Sequence, residues 1–203
     1  RKGKRDAFLL LFLYQTGARV QELVDVRICD LALDSRNIVT LHGKGSKTRA
    51  VPMREKLVGH LKRYLQIFHP DVNLYSTDTL FYSVHKNQHS RMTEDNVRKL
   101  VREYGNRARA KEPSIPENVH PHMFRHSIAM HLYQNGVALP LISQWLGHSR
   151  LETTLIYAYA DTEQKRKAIE KAIPEDSTLK AFLNSERYRL DDDDLIKRLY
   201  GLK

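Results

Sequence analysis

Residues 120–159 constrain the fold of this 203-residue chain more than any other stretch, because they divide into three segments with clear helix signals. Apolar side chains recur at helical spacing within residues 124–132, and the Asn-Gly pair that ends in Gly136 is typical of a helix stop. Pro140 suits the first turn of a second helix, and Gly147 ends it. A Thr-Thr pair suited to capping then begins a third segment. The stretch therefore predicts three short helices joined by tight turns.

The polar side chains of this stretch lie at the ends of those helices. His122, Arg125 and His126 open the first segment, and the N-terminal end of a helix attracts anions. His148 follows the stop of the second helix, and Tyr157 comes nine residues after it. An exposed tyrosine near histidines and an arginine is a candidate nucleophile for a phosphorus centre. The pattern therefore indicates chemistry on phosphate groups.

The same residues form a pattern that resembles the active-site signature of the tyrosine recombinase, or phage integrase, family. The matching motifs are His122-Met-Phe-Arg125-His126, Leu146-Gly147-His148 and Thr153-Thr154-Leu-Ile-Tyr157. Phe124 stands where the family more often has leucine, which is a conservative change. The interval between His148 and Tyr157 is the family's own, so the resemblance rests on spacing as well as on residue type.

Two upstream motifs complete the resemblance. The segment TGARVQEL resembles the family's Thr-Gly-x-Arg-x-x-Glu-Leu box, in which Arg19 and Glu22 occupy the charged positions. The segment HGKGSKTRAVP resembles the family's β-hairpin loop, whose catalytic lysine corresponds to Lys44. The resemblance implies that Lys47 and Arg49 bind the DNA backbone beside that lysine.

The resemblance also implies a defined reaction. Its catalytic residues would be Arg19, Lys44, His122, Arg125, His148 and Tyr157. Tyr157 would attack the scissile phosphorus and form a 3′-phosphotyrosyl intermediate, which conserves the bond energy and allows rejoining without ATP. Lys44 would protonate the leaving 5′-oxygen, and Glu22 would orient Arg19. Arginine forks match phosphate oxygens bidentately, and the nearest acidic run lies far away at residues 191–194, so we expect neither a metal ion nor another cofactor.

The charge balance of the chain favours a polyanionic partner. Its 34 Lys and Arg against 24 Asp and Glu give a formal net charge of +10 and a pI of about 9.7, and nucleic acid is the simplest such partner. Arg98, Lys99 and Arg102 lie on a segment with a helix start at Thr93, which predicts a helix that tracks a phosphate backbone.

The single Cys29 excludes an intramolecular disulfide, and no apolar run is long enough to span a membrane. We therefore expect a cytoplasmic protein that binds double-stranded DNA.

The predicted fold is mainly α with a small antiparallel β-sheet near residues 26–53, an α+β class that the resemblance identifies with the tyrosine recombinase catalytic domain. We assign residues 1–174 to that domain, and residues 175–203 to a C-terminal tail whose short helix docks on a neighbouring protomer. The chain begins without Met and shows no counterpart of the family's N-terminal core-binding domain, so we expect it to be part of a longer protein. The resemblance implies a homo-oligomer that is a tetramer on paired recombination sites.

Other interpretations fit parts of the sequence. A type IB topoisomerase uses related residues to relax one duplex, and two of the predicted helices resemble the helix-turn-helix of a DNA-binding module without catalysis.

Single residues also allow other roles. His122 and His126 could bind a metal ion, but Arg125 would repel a cation, and we expect His126 to bond a neighbouring backbone group. Tyr159 competes with Tyr157, although residues two apart on a helix point in nearly opposite directions. The conjunction of six residues in family order favours the recombinase.

Overall fold

The structure is a computed structural model that describes residues 2–34, 36–43, 45, 47–85, 88–148, 152–160 and 166. The chain divides into two units, residues 1–160 and residues 161–203, and Arg166 is the described residue of the second. Lys44 and the tail predicted at residues 175–203 lie outside the described residues. The domain boundary after residue 174 stays a prediction.

Helices form most of the first unit. They are α1 (Lys2–Thr16), α2 (Val20–Asp25), α3 (Glu55–Phe68), α4 (Glu94–Arg109), α5 (Pro121–Gln134), α6 (Leu139–Leu146) and α7 (Glu152–Ala160). The start of α4 follows the prediction, because the Thr93 hydroxyl accepts a hydrogen bond from the Asn96 backbone N–H at 3.2 Å. In the ranges given above, no helix is long and apolar enough to cross a membrane.

The strands form two small antiparallel sheets. β1 (Leu31–Ala32), β2 (Ile38–His42) and β3 (Thr48–Pro52) make a three-stranded sheet in that order, and β4 (Tyr82–His85) pairs with β5 (Gln88–Arg91). The predicted helical fold with a small sheet near residues 26–53 is confirmed. All four residues of β5 are exposed, so this strand lacks the apolar alternation that marks a half-buried strand.

The larger core surrounds α1. The Phe8 ring stacks on the Tyr64 ring of α3 with centroids 4.6 Å apart, and the Phe12 ring meets the Phe81 ring edge-on at 5.6 Å. Each side chain of this size contributes about 1.5–3 kcal/mol when it is fully buried. These contacts fix the position of α1, and therefore the turn that follows it.

The second core joins the three helices predicted from residues 120–159. Its buried members are Ile128, Ala129, Leu132, Ile142, Leu146 and Tyr157. Gly17 ends α1 with a backbone φ of +60°, and a Cβ atom there would lie 2.9 Å from the Leu146 Cδ2 atom. A larger residue at position 17 would therefore both strain the turn and collide with α6. This close approach sets the start of α2, and with it Arg19, beside the C-terminal end of α6.

Candidate active site

Arg19 and Glu22 are joined by two hydrogen bonds at the start of α2. The Arg19 backbone N–H donates to Glu22 Oε2 at 2.7 Å, and the Arg19 guanidinium donates to Glu22 Oε1 at 2.9 Å. The Glu22 side chain is 2% exposed, whereas the Arg19 side chain is 42% exposed. The buried carboxylate therefore holds an arginine whose remaining donors reach the surface, an arrangement suited to the orienting role that the resemblance implies for Glu22.

Arg49 approaches the same carboxylate from β3. Its two terminal nitrogens donate to Glu22 Oε1 and Oε2 at 2.6 Å and 2.7 Å, and its Nε atom donates to the Trp145 carbonyl oxygen at 2.9 Å. The Arg49 side chain is only 10% exposed. In this structure the Arg49 guanidinium is therefore turned into the protein and bonded there, whereas the sequence predicts that Arg49 binds the DNA backbone.

The two arginines set the charge of Glu22. Burial would raise the pKa of this carboxyl, but the hydrogen bonds from Arg49 and Arg19 outweigh burial and lower the pKa to about 2. Glu22 is therefore an anion at neutral pH.

Arg125 lies at the centre of the site and is 2% exposed. Its guanidinium donates to the Gly17 carbonyl oxygen at 2.7 Å and to the Leu146 carbonyl oxygen. Burial, and then the neighbouring Arg19 and Arg49, lower the pKa of Arg125 to about 10, so it stays charged at neutral pH. Arg125 thus bonds both the turn before Arg19 and the end of α6.

His148 follows Gly147, which has the left-handed φ of +63° that ends α6. The His148 Nδ1 atom hydrogen-bonds the Thr154 hydroxyl at 2.8 Å. Burial, followed by the charges of Arg125 and Arg19, lowers the pKa of His148 to about 4, so the imidazole is neutral at pH 7.

Helix α7 begins at Glu152, before the Thr pair. The prediction that these threonines cap the helix is therefore wrong for Thr154, which is buried inside α7.

His122 and His126 share one side of α5. Their rings meet edge-on with centroids 5.0 Å apart, and His122, near the N-terminus of the helix, is exposed. For both imidazoles burial is the main cause of a lowered pKa, and Arg125 adds to it. Within the described part of the chain, no group of three or more His, Cys, Asp or Glu side chains is arranged to hold a metal ion.

Tyr157 packs in the second core and is only 3% exposed, which corrects the expectation of an exposed tyrosine. Its hydroxyl and the His126 Nδ1 atom are 3.0 Å apart and hydrogen-bonded, so His126 bonds a side chain rather than the backbone group expected from the sequence. Burial raises the pKa of Tyr157, and the nearby charge of Arg125 opposes that change. The face of α7 that carries Tyr157 is buried against α5 and α6, which explains why the ring is not at the surface.

Two cavities meet at Arg19. The larger, which we call the main groove, has a volume of about 1070 Å³, and the smaller, the α4 cavity, has a volume of about 320 Å³. The main groove is lined by residues that include Arg19, Glu22, His42, Lys47, Arg49, Gly147, His148 and Thr153. The α4 cavity is lined by Ala18, Arg19, Val20, Arg98, Arg102, Val119, His120, Pro121 and His122. Arg19 therefore stands between a groove that contains His148 and a cavity that contains His122.

The DNA-backbone candidates divide between different surfaces. Lys47 lines the main groove, and Arg98 and Arg102 line the α4 cavity. Arg98 also donates to Asp95 at 2.9 Å and to Glu94, so part of its charge is offset. Lys99 lines a third cavity with residues of α1, away from the other candidates. Three of these four side chains thus share a cavity with Arg19.

Sequence reasoning missed the contacts that join distant segments. Arg49 to Glu22, His148 to Thr154 and His126 to Tyr157 are side-chain pairs that no single motif contains. Only the Arg19 to Glu22 pair has a local signal, because residues three apart on a helix are neighbours.

Two kinds of sequence comparison relate this chain to known proteins. The sequence model of the phage integrase family matches residues 1–164. The tyrosine recombinase XerA of Pyrococcus horikoshii is 36% identical over 168 residues, which are 83% of this chain and 55% of the relative. The chain therefore spans about half the length of this curated relative.

Two solved structures share the fold. The crystal structure of XerA recombinase superimposes with a TM-score of 0.66 at 29% identity, over 84% of this chain and 57% of that one. The XerH site-specific recombinase, in a post-cleavage complex with a palindromic difH substrate, gives a TM-score of 0.65 at 30% identity, over 82% of this chain and 45% of that one. These matches and the family match cover the helices and strands that carry the site, and they establish that the chain belongs to the phage integrase family and has the tyrosine recombinase catalytic-domain fold.

Proposed function

We propose that this chain is the catalytic part of a site-specific DNA recombinase that cleaves and rejoins strands through a 3′-phosphotyrosyl intermediate. One observation carries the proposal: Arg19 and His148 line the main groove, and the buried Arg125 is close enough to His148 and Tyr157 for its charge to affect the pKa of both. Two fixed guanidinium groups beside a neutral imidazole suit a phosphate whose non-bridging oxygens gain charge in a transition state.

In the proposed reaction the Tyr157 oxygen bonds to the scissile phosphorus and gives its proton to the neutral imidazole of His122. The bond from phosphorus to the 5′-oxygen breaks, and the 5′-oxygen gains a proton from Lys44. A 5′-hydroxyl then reverses the step from the same or another strand. Arg19 and Arg125 stabilise the pentacoordinate phosphorus, while His122 and His148 donate further hydrogen bonds. The proposed chemistry uses side chains alone and neither a metal ion nor ATP.

The buried position of Tyr157 adds a step before chemistry. Its hydroxyl is bonded to His126 inside the core of α5, α6 and α7. Attack on a phosphate in the main groove therefore requires the ring to leave that core. We infer that DNA binding and the movement of Tyr157 are coupled, since the phenol otherwise keeps a raised pKa.

Double-stranded DNA is the proposed partner. The net charge of +10 supports a polyanion, and Arg98, Arg102 and Lys47 extend the positive surface on both sides of Arg19. The XerH relative binds a palindromic difH substrate, which supports a paired site here. We propose a tetramer on two such sites, with the predicted tail at residues 175–203 docking on a neighbouring protomer.

A plasmid experiment tests the function. Duplexes that the chain selects from random DNA are cloned as two copies on a supercoiled plasmid, and the products are separated on a gel. We expect exchanged circles or inversions with wild type and none with Tyr157→Phe. Relaxed circles without exchange would instead indicate a type IB topoisomerase, and binding without any change in the plasmid would indicate a DNA-binding module.

A further inference from the structure

We propose that Arg49 is a positioning residue, which ties the β2–β3 hairpin to Glu22 and to the end of α6 and so holds three parts of the site in one geometry. The inference rests on the recombinase function proposed above. It replaces the expectation that Arg49 binds the DNA backbone.

The contacts of Arg49 occupy both sides of its planar fork. Both terminal nitrogens bond the Glu22 carboxylate, and Nε bonds the Trp145 carbonyl oxygen. Because Glu22 also accepts two hydrogen bonds from Arg19, one buried carboxylate orients both arginines. A fixed bidentate pair of this kind specifies direction as well as charge, and lysine cannot reproduce it.

The end of α6 is held by the same side chain. Trp145 lies three residues before His148, and a Cβ atom at Gly147 would lie 2.9 Å from the Arg49 Cδ atom. The absence of a side chain at Gly147 therefore lets Arg49 pass under the turn that leads to His148. A displacement of Arg49 would move this turn and Glu22 together.

The hairpin is the third part. Arg49 lies on β3 opposite Leu41 of β2, and the Gly43 backbone N–H donates to the Lys47 carbonyl oxygen at 2.7 Å at the base of the loop. The loop contains Lys44, the proposed general acid. Arg49 is thus the side chain that joins this base to α2 and α6, and we expect it to set how accurately the hairpin meets the scissile phosphate.

The test measures two quantities for each variant with duplexes that the chain has selected from random DNA. The first is the first-order rate of covalent adduct formation on a nicked version of the duplex, and the second is the salt dependence of the dissociation constant. The variants are Arg49→Lys, Arg49→Gln, Glu22→Gln and the double variant Glu22→Gln/Arg49→Gln. Arg36→Gln is the matched control, because Arg36 pairs with Asp34 at the surface of the adjacent β1–β2 connection.

A positioning role predicts a loss of adduct rate of about 100-fold in both Arg49 variants, since small misplacements of reacting groups cost that much. The dissociation constant should change less than about threefold, and its salt slope should equal that of wild type. The double variant should react no more slowly than the slower single variant, because both substitutions break the same unit. It also removes the buried Glu22 carboxylate, which Arg49→Gln alone would leave without its hydrogen bonds from Arg49, so we expect the double variant to stay folded.

Other outcomes overturn the inference. A salt slope smaller by about one in Arg49→Gln but not in Arg49→Lys, together with rate losses that multiply in the double variant, would make Arg49 a DNA contact. Rates in the Arg49 variants equal to the Arg36→Gln rate would remove any role in positioning. An absence of adduct from wild type on bound DNA would reject the proposed function itself, and the positioning role with it.

Discussion

Glu22 is the residue on which the charge of the site depends. It is buried, it bonds Arg19 and Arg49, and its pKa lies at about 2 because their hydrogen bonds outweigh burial. Removing one partner of a buried ion pair leaves the other charge without compensation. We therefore expect a substitution of Glu22 to affect both stability and the proposed reaction.

Glu22→Gln is expected to lower the free energy of unfolding by about 3 kcal/mol, because Arg49 would stay buried without its counter-charge. Guanidinium chloride unfolding at neutral pH measures the difference from wild type. Asp34→Asn is the control, since it breaks an exposed ion pair with Arg36 and should cost less than about 1 kcal/mol. Equal losses in the two variants would show that burial of Glu22 has no energetic consequence.

Tyr157 has two separable roles, as a packing residue and as the proposed nucleophile. Tyr157→Phe keeps the ring in the second core and should change the free energy of unfolding by about 1 kcal/mol or less. Tyr157→Ala leaves a cavity there and should cost about 3–5 kcal/mol. Thermal and denaturant unfolding of both variants test this difference. A large loss in Tyr157→Phe would mean that the hydroxyl bond to His126, rather than the ring, stabilises α7.

The turns between elements bring the site together. Gly17 and Gly147 both have positive φ and both make close approaches, the first to α6 and the second to Arg49. These turns connect helices that the sequence predicts well, because helix stops at glycine have a local signal. The contacts made by the turns have no such signal.

Gly147→Ala should destabilise the chain more than Gly136→Ala. Both positions have positive φ, which costs an alanine about 1 kcal/mol, but a Cβ atom at Gly147 would lie 2.9 Å from Arg49 Cδ while none lies within 4 Å at Gly136. We expect an additional loss of about 1–3 kcal/mol at Gly147 from this overlap. Parallel denaturant unfolding measures the two losses, and identical values would argue against tight packing of Arg49 under the turn.

Helix positions and the β2–β3 hairpin could be predicted from the sequence, whereas the position of Tyr157 could not. The sequence does not show that Thr154 and Tyr157 are buried in α7. Because threonine is a good helix cap, the sequence predicts that α7 begins at the Thr pair, whereas the helix begins at Glu152. Side-chain partners such as Arg49 and Glu22, which are 27 residues apart, depend on tertiary packing.

At the scale of the whole molecule, four histidines with lowered pKa values make stability depend on pH. The pKa values of His69, His122, His126 and His148 are all lowered, with burial as the largest cause. Below about pH 6.5 the unfolded chain therefore binds more protons than the folded chain. Acidification should destabilise the fold.

We expect the free energy of unfolding to decrease as the pH falls from about 6.5 to about 4, the pKa of His148, with a further decrease below about 4.5 as Glu22 approaches protonation. Urea unfolding across this range measures the slope. His148→Gln should flatten part of the decrease, whereas His60→Gln, at an exposed position of α3, should leave it unchanged. A stability that is constant from pH 7 to pH 5 would contradict the lowered pKa values of these imidazoles.

Covalent trapping tests the central claim, that Tyr157 is the nucleophile of DNA cleavage. Duplexes selected by binding are nicked so that cleavage releases a short fragment and prevents rejoining, and the products are separated under denaturing conditions. The account predicts an adduct with wild type and with Tyr159→Phe, none with Tyr157→Phe, and a DNA-linked peptide that maps to Tyr157. Binding without any adduct, or an adduct that persists in Tyr157→Phe, would contradict it.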